Sequence, residues 1–103
     1  MADTQLAIIE GTALSLLQKK DLLHRLARIE GQLRGVQKLI ALADTPSDCD
    51  AVAQQMAAAR KALDRSFIQL LSASIITQTA NATELADAQA AAGALAAMLD
   101  KFA

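Results

Sequence analysis

One stretch constrains this chain more than any other. From Lys19 to Ile40 (KKDLLHRLARIEGQLRGVQKLI), apolar residues recur at Leu22, Leu26, Ile29, Leu33, Val36 and Ile40. Steps of four and three keep them on one side of an α-helix, with the period of a coiled-coil seam. The same stretch holds six of the ten basic residues. One helix therefore carries an apolar seam for a partner helix and a basic flank for something acidic. From charge alone, a solvated flank is the simpler reading of those cations.

The rest of the composition points the same way. The chain is 53% hydrophobic but only 2% aromatic, and its apolar content is mostly Ala and Leu. Strands favour the β-branched and aromatic residues that are scarce here, so an all-α fold is expected. At 103 residues the chain is one domain, and a single layer of helices this small gains core by oligomerising. No apolar run reaches the ~20 residues of a membrane span, and the start of the chain lacks the basic residues of a signal peptide. Cys49 is the only cysteine. An intramolecular disulfide is excluded, and a reducing cytoplasm is the expected compartment. The net charge of −1 hides an asymmetry: residues 18–65 sum to +3, and each flank sums to −2.

Residues 1–17 read as an N-terminal extension, with Thr4–Glu10 either a short helix capped by Thr4 or a loose tail. Residues 18–103 read as the helical domain. The first helix is predicted from Leu14 or Gln18 to Ala43. Gly31 and Gly35 lie inside it, four apart, where they would let another backbone come close. Asp44-Thr45-Pro46-Ser47-Asp48 breaks it, with Ser47 or Asp48 able to cap the next. The second helix is predicted from Asp48 to Thr79, roughly 45 Å long. Its stripe is Val52, Met56, Ala59, Leu63, Phe67 (or Ser66), Leu70 and Ser74. The short loop makes the two an antiparallel hairpin. Asn81 or Thr83 can cap a third helix over Thr83–Lys101, with Leu85, Ala88, Ala92, Leu95, Leu99 and Phe102 on one side.

Little in the chain suits catalysis. It has one His, one Cys and no Tyr or Trp, and no phosphate loop, HExxH or CxxC spacing. An enzyme is not expected. His24 reads as a solvent or interface histidine. Cys49 opens the second helix, where a helix N-terminus favours thiolate, although Asp48 and Asp50 oppose a negative charge there.

Three segments carry a resemblance. RLARIEGQLRGVQKLI (Arg25–Ile40), Cys49, and AQQMAAARKALDRSFIQLL (Ala53–Leu71) resemble the CsoR/RcnR/FrmR family of metal- or formaldehyde-responsive transcriptional repressors. The R-x-x-R-I-E-G-Q-x-R-G run is the specific part. The resemblance covers about residues 19–79; the third helix is weaker and residues 1–17 are unmatched. It implies a three-helix protomer whose long hairpin dimerises into an antiparallel four-helix bundle, then a dimer-of-dimers tetramer. It implies a cytoplasmic repressor that binds double-stranded operator DNA through basic helical faces, and an effector at the dimer interface that releases the DNA. On that reading Arg25, Arg28, Arg34, Lys38, Arg60, Lys61 and Arg65 contact DNA, with Lys19 and Lys20 at the edge.

The sensing positions depart from the family pattern. Cys49 matches the first metal-ligand position. The family His falls on Ser74 and the second Cys on Gln78. Ser and Gln oxygens are poor ligands for copper(I), so a standard copper or nickel site is not expected. Asp48 replaces the aromatic that commonly precedes the first Cys, and Asp64 replaces a family Asn. The formaldehyde branch begins at a proline where this chain has Ala2. Two alternatives stay open. One is a transition-metal sensor with substituted ligands, Cys49 plus His24, Asp48 or Asp50. The other is a helical interaction module that no longer senses.

Overall fold

The computed structural model describes Ile8, Gly11 and residues 13–103. The proposed Thr4–Glu10 helix falls on residues of which only Ile8 is described. Among the described residues the chain is all-helical, with no strand: α1 spans Leu16–Leu42, α2 spans Pro46–Asn81 and α3 spans Leu85–Phe102.

Local hydrogen bonds decide where the helices begin. The Ser15 amide donates to Gln18 Oε1 (2.7 Å), and the Gln18 amide donates back to Ser15 Oγ (3.2 Å). This reciprocal capping box starts α1 at Leu16, between the two predicted starts. A second box opens α2. The Asp48 amide donates to Thr45 Oγ1 (3.2 Å), and Asp48 Oδ2 accepts from the amides of Thr45 and Asp44 (3.1 Å each). Thr45 is therefore the cap, rather than Ser47 or Asp48. Pro46 does not merely break the first helix; it takes the first position of the second, where its missing N–H costs nothing.

At 36 residues, α2 is longer than predicted, about 54 Å at the helical rise. It runs through Asn81, which therefore does not cap α3. Glu84 occupies the α3 cap position in extended geometry (φ −135°, ψ 159°) and makes no side-chain cap bond. The Thr83 hydroxyl instead donates to Asp87 Oδ2 at 3.1 Å.

The chain divides into two compact units, Leu22–Ile68 and Met1–Asp21 with Gln69–Ala103. The first is the helical hairpin. Its predicted apolar stripe divides in two. Leu22, Ile29 and Val36 on α1 are buried, as are Val52, Ala59 and Ser66 on α2. Each set repeats every seven residues and packs the hairpin's own two helices together. The alternate positions stay open: Leu26, Leu33 and Ile40 are 40%, 48% and 53% exposed, and Met56 and Leu63 are 52% and 50% exposed. Half of the seam thus closes the protomer, and the other half is left on its surface.

The second unit is tied by polar contacts. Gln18 Nε2 donates to the Ala73 carbonyl (3.4 Å), the Thr77 hydroxyl donates to Gln18 Oε1 (2.6 Å), and Gln69 Nε2 donates to the Asp21 carboxylate. Leu71, Ala73, Ser74 and Leu95 are buried here. Of the predicted α3 stripe only Leu95 is buried and Ala88 half-buried; Leu85, Leu99 and Phe102 are exposed.

Candidate functional site

Within the hairpin unit, Arg25, Arg28 and Arg65 line one groove between α1 and α2, together with Ile29, Gln32 and Ser66. Its volume is about 210 Å³. Helical spacing explains the α1 side: Arg25, Arg28 and Gln32 are three and four residues apart, beside the buried Ile29. Small residues open the α2 side. Ser66 is buried, and its hydroxyl donates to the Ala62 carbonyl at 3.1 Å, which holds it flat against its own helix. Arg65, next in sequence, reaches the groove from there. Arg guanidinium is the side chain best shaped to grip a phosphate or carboxylate in two places, so three arginines on one concavity favour an anion.

The other expected DNA contacts do not line this groove. Arg34, Lys38, Arg60 and Lys61 are exposed, as are His24 and Lys20, while Lys19 is half-buried. Arg60 shares a side of α2 with the open Met56 and Leu63. Arg28 and Lys38 share a side of α1 with Gly31 and Gly35, since the four follow at steps of three and four. A Cβ placed at either glycine meets nothing within 4 Å. Among the described residues no backbone approaches there, so the close packing expected at these glycines is not made within the described part of one chain. The basic side of α1 is instead bare backbone between two cations.

Cys49 is exposed, in the first turn of α2. Its amide donates to the Thr45 carbonyl at 3.2 Å. The neighbouring carboxylates are engaged: Asp48 in the capping box, and Asp50 as acceptor from Gln54 Nε2 at 2.8 Å. The two backbone amides, Thr45 first, hold the Asp48 carboxyl below its ordinary 3.8, with the Thr45 hydroxyl adding to them. Ser74 and Gln78 are paired with each other in the other unit, Gln78 Nε2 donating to the buried Ser74 Oγ at 2.7 Å. Neither that engaged hydroxyl oxygen nor an amide oxygen suits a soft metal ion. Cys49, Ser74 and Gln78 therefore do not fit the copper site of the family pattern. Among the described residues no three His, Cys, Asp or Glu side chains are grouped to hold a metal.

Two groove residues, Gln32 and Ser66, were not anticipated from the sequence. Gln32 sits four residues after Arg28, and that spacing was the available signal. Ser66 was visible only as an alternative to Phe67 in the stripe. No helix among the described residues is long and apolar enough to cross a membrane.

A protein-family model described as metal-sensitive transcriptional repressor matches residues 18–101. No curated protein and no solved structure matches the chain significantly.

Proposed function

The chain belongs to the family of metal-sensitive transcriptional repressors, and from that premise we propose that it is a DNA-binding repressor released from its operator by an effector. The observation that carries this reading is the groove lined by Arg25, Arg28 and Arg65 on the helical hairpin. Phosphate contacts supply most of the affinity of a protein for DNA and need no helix-turn-helix. Arg34, Lys38, Arg60 and Lys61 extend the cationic surface, with Lys19 and Lys20 at its edge. The bare backbone at Gly31 and Gly35 supports a close approach of the sugar-phosphate chain between Arg28 and Lys38.

The working unit is a homo-oligomer. Leu26, Leu33, Ile40, Met56 and Leu63 leave a seven-residue apolar repeat open on the hairpin, and a second copy supplies the matching repeat. Two hairpins then make a four-helix bundle, and two dimers a tetramer. The effector acts at Cys49, the one sensing position of the family pattern retained. Cys49 and Ser74 lie about seven turns apart on α2, so a site using both ends of that helix is completed by the partner chain. The ligand set does not suit copper(I), and no metal step is assigned. The place of action is the cytoplasm.

Charge reversal tests the reading. A gel shift with the duplex upstream of the protein's own operon should show binding by the native chain. Arg28→Glu with Arg34→Glu should abolish it. Unchanged binding by that double variant would instead favour a helical interaction module.

A further inference from the structure

The second unit has a cavity of its own, where α2 ends and α3 begins. Gln78 and Asn81 from the last turn of α2, Ala82 from the connection, and Asp87 and Ala91 from α3 line about 230 Å³. The helical spacing puts Gln78 with Asn81, and Asp87 with Ala91, on one side of each helix. The methyl side chains of Ala82 and Ala91 leave the space between them open. None of the lining residues is basic. Asp87 brings a carboxylate, of which Oδ2 accepts from the Thr83 hydroxyl at 3.1 Å and the remaining lone pairs can take further donors. Gln78 gives an N–H to Ser74 Oγ at 2.7 Å and keeps its carbonyl oxygen as an acceptor. The local field has the same sign. A helix ends in partial negative charge on its last carbonyls, and the last turn of α2 holds no basic residue. The start of α3 carries the opposite partial charge, and Asp87 in its first turn offsets it with a full negative one. Beyond Arg65 the one basic residue is Lys101, at the far end of α3, where its ammonium stands over the Phe102 ring at 5.8 Å. A cation is therefore favoured in the cavity. A metal ion suits it poorly, because a single carboxylate lines it and among the described residues no three His, Cys, Asp or Glu side chains are grouped.

We propose that this cavity binds a small organic ammonium ion. Its N–H groups donate to the Asp87 carboxylate and the Gln78 carbonyl oxygen, and its carbon stem lies on Ala82 and Ala91. The site is built within one chain and is separate from Cys49, which belongs to the other unit.

The full-length, isotope-labelled chain is titrated with n-butylammonium chloride at neutral pH and constant ionic strength, followed by amide NMR. The expected result is saturable shifts confined to the amides around Gln78–Ala82 and Asp87–Ala91. Butanol has the same stem without the charge and should give no saturable shift. Potassium chloride at equal concentration should neither reproduce the shifts nor displace the amine. Asp87→Asn should weaken binding about tenfold, the worth of one hydrogen bond to a charged group. Asp100→Asn removes a carboxylate of the same helix outside the cavity and should leave binding unchanged. Ala91→Leu fills the space and should abolish binding. Circular dichroism confirms that the variants keep their helices. The proposal is overturned if the shifts do not saturate, or if butanol binds as well as the amine. It is equally overturned if potassium ions give the same shifts, or if Asp87→Asn behaves like Asp100→Asn. The titration contains no DNA, so its outcome is independent of the repressor reading.

Discussion

Asp48 shows how much one side chain decides at the start of α2. Its carboxylate takes two backbone amides and closes the turn around Thr45 and Pro46. Because those bonds hold its acid constant below 3.8 in the folded chain, its contribution is complete above that ordinary value. It is lost as the pH falls through the lowered one. As the pH falls through that lowered value, the amides of Asp44 and Thr45 should lose protection relative to their intrinsic exchange rates in the native protein, while Asp48→Ala lacks that protection across the whole range. Hydrogen exchange by NMR checks this. The Ser74–Gln78 pair supports a second expectation. Ser74→His with Gln78→Cys restores soft donors at the positions the family pattern uses. That variant should take up copper(I) in an assay where the native chain does not, and Cys49→Ala should remove the gain. At this scale the sequence was partly legible. Thr45, Ser47 and Asp48 are all good caps, and choosing among them needs the backbone geometry that makes Asp48 the returning acceptor.

Helix α1 illustrates what a periodic pattern can and cannot tell. Its stripe was legible as a seam, since steps of three and four put Leu22 through Ile40 on one side. The pattern does not say which alternate positions meet α2 and which wait for another chain, because both sets obey the same period. The structure separates them: Ile29 is 6% exposed and Leu33 is 48% exposed. Ile29→Ala should therefore cost about 3 kcal/mol at any protein concentration, through lost burial and the cavity left behind. Leu33→Ala should leave the protomer intact and weaken association, so that its cost is greatest at low protein concentration, where the variant dissociates before the native chain does. Denaturant melts at two protein concentrations separate the cases. The glycines give a test in the opposite direction. With nothing near their missing Cβ atoms, Gly31→Ala and Gly35→Ala should each stabilise α1 by roughly 1 kcal/mol. The same substitutions should weaken DNA binding if the duplex lies against that bare backbone.

On the scale of the whole molecule, the family was legible and the grouping of its basic residues was not. The Arg25–Gly35 run carried the resemblance that the match over residues 18–101 bears out. Arg65 is 37 positions beyond Arg28 in the chain. Nothing local to either says that they share a groove; that follows from the register of the hairpin, which brings Ile29 of α1 to the same groove as Ala62 and Ser66 of α2. The effector is the part least written in the residues, because Cys49 stands without the partners the family pattern supplies. The DNA-binding claim is tested most directly by fluorescence anisotropy on the duplex upstream of the protein's own operon, repeated over a series of salt concentrations. The expected result is binding whose affinity falls steeply with salt, by a logarithmic slope of about 0.9 for each phosphate neutralised. No binding at low salt to that duplex or to any genomic fragment would contradict it.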